Sequence, residues 1–154
     1  MKPNIPSHFK FALIFVVLAL AVSAGGLIPK SAYAAPGDLY VPDLSDVTNL
    51  IYAFTPDGTP RTFATIGSPP PPSGILGVAF DSGGNLFASF AAGVGSSFII
   101  KITPAGAQST FFTGLNFPVG LAFDSAGNLF EADNGSGSIF KFTPAGLQDR
   151  KSVV

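Results

Sequence analysis

The sequence predicts an all-β fold assembled from a repeated four-stranded unit, and three observations predict it. The stretch Gly77-Val78-Ala79-Phe80-Asp81-Ser82-Gly83-Gly84-Asn85-Leu86-Phe87 recurs as Gly120-Leu121-Ala122-Phe123-Asp124-Ser125-Ala126-Gly127-Asn128-Leu129-Phe130. A Thr-Pro-x-Gly signal recurs at Thr55, Thr103 and Thr143, spaced 48 and 40 residues apart. Beyond residue 35 no apolar stripe follows the helical period of about 3.6 residues. One unit of about 40–50 residues repeated in this way has the period of propeller blades.

Each unit reads as four short strands. Strand a runs from Gly77 to Phe80, with Gly120 to Phe123 its copy. Asp-Ser-x-Gly-Asn then reverses the chain, because Asp accepts backbone N–H bonds at the first turn position and Gly supplies a positive φ at the fourth. Strand b runs from Asn85 to Ala88, with copies from Asp38 to Val41 and from Asn128 to Ala132. Strand c runs from Phe98 to Thr103, with copies from Leu50 to Thr55 and from Ser138 to Thr143. Thr-Pro-x-Gly puts Pro at i+1 of a type I turn and Gly at i+3, and strand d follows from Gln108 to Thr113 or from Arg61 to Thr65. Pro60 requires strand d to be an outer edge, where a missing N–H is tolerated. The first copy lacks a strand a. The third departs in strand d, where Asp149, Arg150 and Lys151 replace Ser109, Thr110 and Phe111.

The two spacings differ by insertions in loops. Five extra residues lie in the link before Gly77 and three around Ala91 to Ser97, where added length costs little entropy. In strand c, Leu50, Tyr52 and Phe54 share a face, as do Phe98, Ile100 and Ile102, and Ser138, Phe140 and Phe142. The opposite face carries Ile51, Ile99 and Ile139. A blade sandwiched between neighbours needs apolar residues on both faces of its inner strands. The expected layout is blade 1 over about 37–65, a Pro-rich linker over 66–76, blade 2 over about 77–113 and blade 3 over about 118–150. That makes two and a half to three blades, an incomplete ring, since closed propellers use about 4–8.

The chain of 154 residues is 47% hydrophobic and 11% charged, with no Cys, one His and a formal net charge of −1. The absence of Cys excludes a disulfide scaffold and a thiol nucleophile, and the near-zero charge gives no footprint for nucleic acid. Residues 1–34 read as a secretory signal peptide: Lys2 and Lys10, then a hydrophobic helix from Phe11, then a small-x-small site at Ala32 and Ala34. Cleavage after Ala34 predicts a secreted or periplasmic location, with no membrane contact afterwards. The alternative is a membrane anchor, which Gly25-Gly26 and Pro29 disfavour. Residues 35–154 contain no His, which excludes Ser-His-Asp and His–zinc chemistry there.

The string Pro118-Val119-Gly120-Leu121-Ala122-Phe123-Asp124-Ser125-Ala126-Gly127-Asn128-Leu129-Phe130-Glu131-Ala132-Asp133-Asn134, followed by Ile139-Phe140-Lys141-Phe142, resembles an NHL repeat. The resemblance covers about residues 37–148. It implies a β-propeller, commonly six-bladed, related to gluconolactonase/regucalcin-like and virginiamycin-lyase-like propellers. Glu131 departs from the pattern, which usually has Val there, and Ser89-Phe90 replaces an Ala-Asp pair. The resemblance speaks for fold and hardly for function.

Glu131, Asp133 and Asn134 form the densest polar patch on a strand. Glu131 and Asp133, two residues apart, share a face and suit an acid/base pair or metal ligation. The structural reading is that Asp133 and Asn134 start the b–c turn while Glu131 pairs with a lysine such as Lys141. The Asp-Ser-x-Gly-Asn loops offer one carboxylate each, too few for a calcium ion, and read as turns. Ser68 to Ser73, with four prolines, reads as a polyproline II spacer, and Arg150-Lys151 as a solvated tail. No catalytic, cofactor or metal residue is assigned. The expected function is non-enzymatic binding of protein or carbohydrate by a propeller fragment, without a cofactor. The alternatives are a metal-dependent lactonase-type hydrolase, the one reading that needs a divalent cation, and a truncated product without independent activity. Uncovered faces on the end blades predict self-association.

Overall fold

The computed structural model describes residues 17–18, 37–43, 49–66 and 74–151, and every described element is a strand. Three antiparallel sheets of four strands follow one another along the chain. The first contains β1 (Val17–Leu18), β2 (Leu39–Pro42), β3 (Leu50–Phe54) and β4 (Pro60–Thr65). The second contains β5 (Gly74–Phe80), β6 (Leu86–Ala91), β7 (Ser97–Ile102) and β8 (Gln108–Leu115). The third contains β9 (Pro118–Phe123), β10 (Leu129–Asp133), β11 (Ser138–Phe142) and β12 (Gln148–Lys151). Spatial order within each sheet is sequence order, so each is an up-and-down blade. The three blades form an arc of a β-propeller that does not close.

Pro60 begins β4, the outer strand of its sheet, as a residue without an N–H requires. β5 starts at Gly74, inside the segment read as linker. Ile75 is fully buried there, and a register shift between Ile75 and Gly77 accommodates the extra residue. β12 pairs with β11 in regular register, Lys141 opposite Asp149 and Phe142 opposite Gln148. The sequence departure in strand d does not prevent backbone pairing, because ladder bonds do not depend on side-chain identity. The Pro-rich run 68–73 lies outside the described residues.

The expected signal helix lies mostly outside the described residues too. Its two described residues are strand, not helix. Val17 pairs with Tyr40 and Leu18 with Leu39, in the register that pairs Ala79 with Phe87 and Phe80 with Leu86. This corrects the expectation that the first copy has no strand a. This apolar segment supplies the hydrogen-bonding partner that the edge of β2 would otherwise lack.

Side-chain alternation gives each blade a leading face, toward the next blade, and a trailing face. At the first junction the leading Tyr40, Ile51 and Ala53 meet the trailing Leu86, Ala88, Ile100 and Ile102. At the second, Phe87, Ile99 and Leu115 meet Leu129, Phe140 and Phe142. Each junction carries an aromatic triad in the same positions. Tyr40 lies 4.9 Å from Phe63 and 4.7 Å from Phe80; Phe87 lies 5.0 Å from both Phe111 and Phe123. All four contacts are edge-to-face, the arrangement aromatic quadrupoles favour.

The innermost strands β5 and β9 touch backbone to backbone. A Cβ on Gly77 would sit 3.0 Å from the Val119 carbonyl oxygen and 3.3 Å from Gly120 Cα. Glycine at the start of the repeated Gly-x-Ala-Phe block is therefore what lets two blades converge at the hub.

Candidate functional site

The polar patch divides into two unlike parts. Asp133 closes the b–c turn: its Oδ2 accepts the Asn116 N–H at 2.6 Å and its Oδ1 accepts the Ser136 N–H at 2.9 Å. Both carboxylate oxygens are thus occupied by backbone, and the group is 2% exposed. Asn134, exposed, donates its N–H to the Phe117 carbonyl, and Gly135 donates to that of Asn116. A Cβ on Gly135 would overlap Asn116, so the turn packs against the link between blades 2 and 3 only because position 135 is glycine.

Glu131 is not part of that turn. It alternates with Leu129 on β10, opposite Leu121 and Phe140, so its carboxyl faces the apolar junction between blades 2 and 3. It is 0% exposed, and neither carboxylate oxygen has a hydrogen-bond partner. Burial, with a smaller contribution from the Asp133 charge, pushes its pKa from the ordinary 4.5 to about 8. The expected Glu131–Lys141 pair does not form. Lys141 stands on the other face of the sheet, its Nζ 5.7 Å from the centre of the Phe130 ring, because neighbouring strand positions 130 and 131 point to opposite faces. The structure therefore brings Glu131 and Asp133 onto one face without giving them a shared ligand space. Among the described residues no group of three or more His, Cys, Asp or Glu could hold a metal ion.

Up-and-down topology sorts the connections onto two ends. One end carries the a–b and c–d turns, and these are built alike. Asp81 and Asp124 each accept from two backbone N–H groups of their turn and from the side-chain amide four residues on. The Asn128 side chain holds the Asp124 carboxyl below its usual range. Gly58, Gly106 and Gly146 close the three Thr-Pro-x-Gly turns at φ between 79° and 84°.

The other end carries the b–c loops and the d–a links, and the two described loops differ in length and sequence. Among the described residues the loops there are 92–96 and 134–137, and the link is 116–117. The insertion around Ala91 to Ser97 falls at this end. Two large apolar side chains stand out from it, Val94 at 82% exposure and Phe117 at 45%. Phe117 holds φ at +64°, a strained value for an aromatic residue. Neither residue belongs to a recurring motif of the sequence. The inserted length around Ala91 to Ser97 was the signal for Val94; nothing in the repeat alignment marks Phe117.

Comparison with solved structures gives the fold. A streptogramin B lyase aligns with TM-score 0.62 at 17% identity, over 91% of this chain and 40% of the other. The PQQ-bound aldose sugar dehydrogenase of Streptomyces coelicolor aligns with TM-score 0.56 at 21% identity, over 86% and 49%. Regucalcin, a calcium-binding protein from Agrobacterium tumefaciens, aligns with TM-score 0.56 at 16% identity, over 79% and 42%. These are propeller proteins, and the chain spans less than half the length of each. No protein-family model and no curated protein matches the sequence.

Proposed function

We propose that this chain is an exported, NHL-type propeller segment that binds a partner through the b–c and d–a end of its blades and does no chemistry of its own. The observation that carries this reading is the asymmetry between the ends. One end repeats the same satisfied turns, with the exposed Leu147 in one of them, while the other holds the 92–96 loop and the exposed Val94 and Phe117. Variable loops on a rigid repeated scaffold are where recognition is built. The apolar character of the two protruding side chains favours a protein surface over a sugar. Export through residues 1–34 and a cofactor-free state belong to the same proposal.

The competing reading is a metal-dependent hydrolase working through Glu131 and Asp133. The geometry favours it less, because both Asp133 oxygens accept backbone N–H groups of its turn and of the preceding link, and Glu131 is sealed in an apolar junction. The test compares the parent chain with a Val94→Asp/Phe117→Asn double variant. Asn suits a positive φ, so the second change relieves strain. We expect the immobilised parent to retain a protein from the medium and envelope fraction of its source cells, and the double variant to lose at least tenfold in affinity for it. Equal retention by both chains would refute the assignment of the surface. Hydrolysis of a γ-lactone with added Ca²⁺, Mn²⁺ or Zn²⁺, abolished in Glu131→Gln, would establish the hydrolase instead.

A further inference from the structure

The link from blade 2 to blade 3 is held from both sides by loop backbone. Gly95 of the blade 2 loop donates its N–H to the Leu115 carbonyl at 3.1 Å. From blade 3, Asn134 donates to the Phe117 carbonyl at 3.1 Å and Gly135 to the Asn116 carbonyl at 2.8 Å. Asp133 grips in return, its Oδ2 accepting the Asn116 N–H at 2.6 Å and its Oδ1 the Ser136 N–H at 2.9 Å. The tightest fit is at Gly135, where a Cβ would overlap Asn116.

One of these donors belongs to a reactive pair. The sequence has six asparagines, followed by Ile at Asn4, by Leu at Asn49, Asn85 and Asn128, by Phe at Asn116 and by Gly only at Asn134. The peptide nitrogen after an asparagine can attack that asparagine's side-chain carbonyl. A side chain on the following residue hinders the approach; glycine does not, and it reaches the backbone angles that ring closure needs. Asn134 is exposed, and its side chain takes part in no hydrogen bond among the described residues. The restraint lies on the nucleophile. The Gly135 nitrogen must give up its proton to attack, and the fold commits that N–H to Asn116 and packs the peptide too closely to swing round.

We infer that Asn134 is a site of spontaneous deamidation gated by the link between blades 2 and 3. Closed, the link withholds the nucleophile; open, it releases it. In the open turn the Gly135 nitrogen bonds to Asn134 Cγ, its proton passes to solvent, and the Cγ–Nδ2 bond breaks to release ammonia. Water then opens the resulting succinimide at either carbonyl, leaving aspartate or isoaspartate at position 134. Water is the only co-reactant, and no oxidation state changes. Closing the link again does not reverse the reaction. Aspartate sets a second carboxylate next to Asp133, which is 2% exposed and held by backbone N–H groups, so the new charge meets a like charge. Isoaspartate routes the main chain through the side chain and lengthens it by one methylene, beside a position with no room for one. A transient opening is thereby recorded as a permanent weakening of one blade junction. The inference concerns main-chain chemistry and stands apart from the partner surface proposed above.

The test follows the full chain by intact mass and peptide mapping at one neutral pH, both folded and in concentrated guanidinium chloride. We expect modification at position 134 in the unfolded parent, not seen over the same time in unfolded Asn134→Gln. In the folded parent we expect the rate to be lower by about tenfold or more. Amide exchange at Gly135 in the folded parent should be slowed by a factor of the same order, because both reactions need the same N–H set free. The deamidated chain, purified and refolded, should unfold at lower denaturant than the parent. Equal rates folded and unfolded, an unmodified unfolded chain, slow deamidation beside a freely exchanging Gly135 amide, or a deamidated chain as stable as the parent would each overturn the gated site.

Discussion

Glu131 shows how one residue can oppose the fold it sits in. The repeat places Val41 and Ala88 at its position in the other blades, and both are buried apolar residues. An acid there without a hydrogen-bond partner must keep its proton or leave a buried charge. Its folded pKa, about 8, lies above the ordinary 4.5, so the folded state binds the proton more tightly than the unfolded. The stability tied to this group is fully present below about pH 4.5 and is lost as pH rises through about 8. Chemical denaturation from pH 4.5 to 9 should show that decline in the parent, and Glu131→Gln should flatten it. Glu131→Leu, similar in volume, should raise stability at pH 8 by about 1–3 kcal/mol. At the hub, Gly77→Ala should cost about 1–3 kcal/mol by the same measurement, because the new methyl meets backbone that cannot move aside.

At the scale of the element, the a–b turn is a self-contained unit. Asp124 accepts three hydrogen bonds from within five residues, which is why the Asp-Ser-x-Gly-Asn string was readable as a turn without any knowledge of the neighbours. Asp124→Ala should loosen that turn, seen as faster amide exchange at Ala126 and Asn128, while leaving strand pairing elsewhere intact. The strand faces were equally legible: Ile51 and Ile99 are buried as leading residues, and Ile100, Ile102, Phe140 and Phe142 as trailing ones. Element ends were less so. β5 and β6 both run past their expected limits, to Gly74 and to Ala91. Their extensions pair with each other, Gly74 opposite Ala91 and Ile75 opposite Phe90, and a pairing between strand tails leaves no periodicity in either tail alone.

Across the whole molecule, stability rests on junctions between blades, where the described sheets cover each other's faces. Among the described residues, blade 2 is covered on both sides by neighbours, and blades 1 and 3 each have one such junction. Hydrogen exchange should therefore be slowest in β6 and β7 and fastest in the outer strands β4 and β12. Phe87→Ala should cost about 3–5 kcal/mol, because its ring touches partners on both sides of the second junction.

The sequence by itself determined the unit: its turns, its strand faces, its period and the number of copies, all encoded within about forty residues and visible by comparing one copy with the next. Tertiary structure alone decided which end of the blades presents Val94 and Phe117, that Glu131 is shut between two sheets rather than paired with Lys141, and that Val17–Leu18 takes the inner place beside β2. The division has a physical cause. Turn bonds and side-chain alternation are local and repeat with the chain. What a side chain meets across a junction depends on a neighbouring blade whose residues lie some forty positions away.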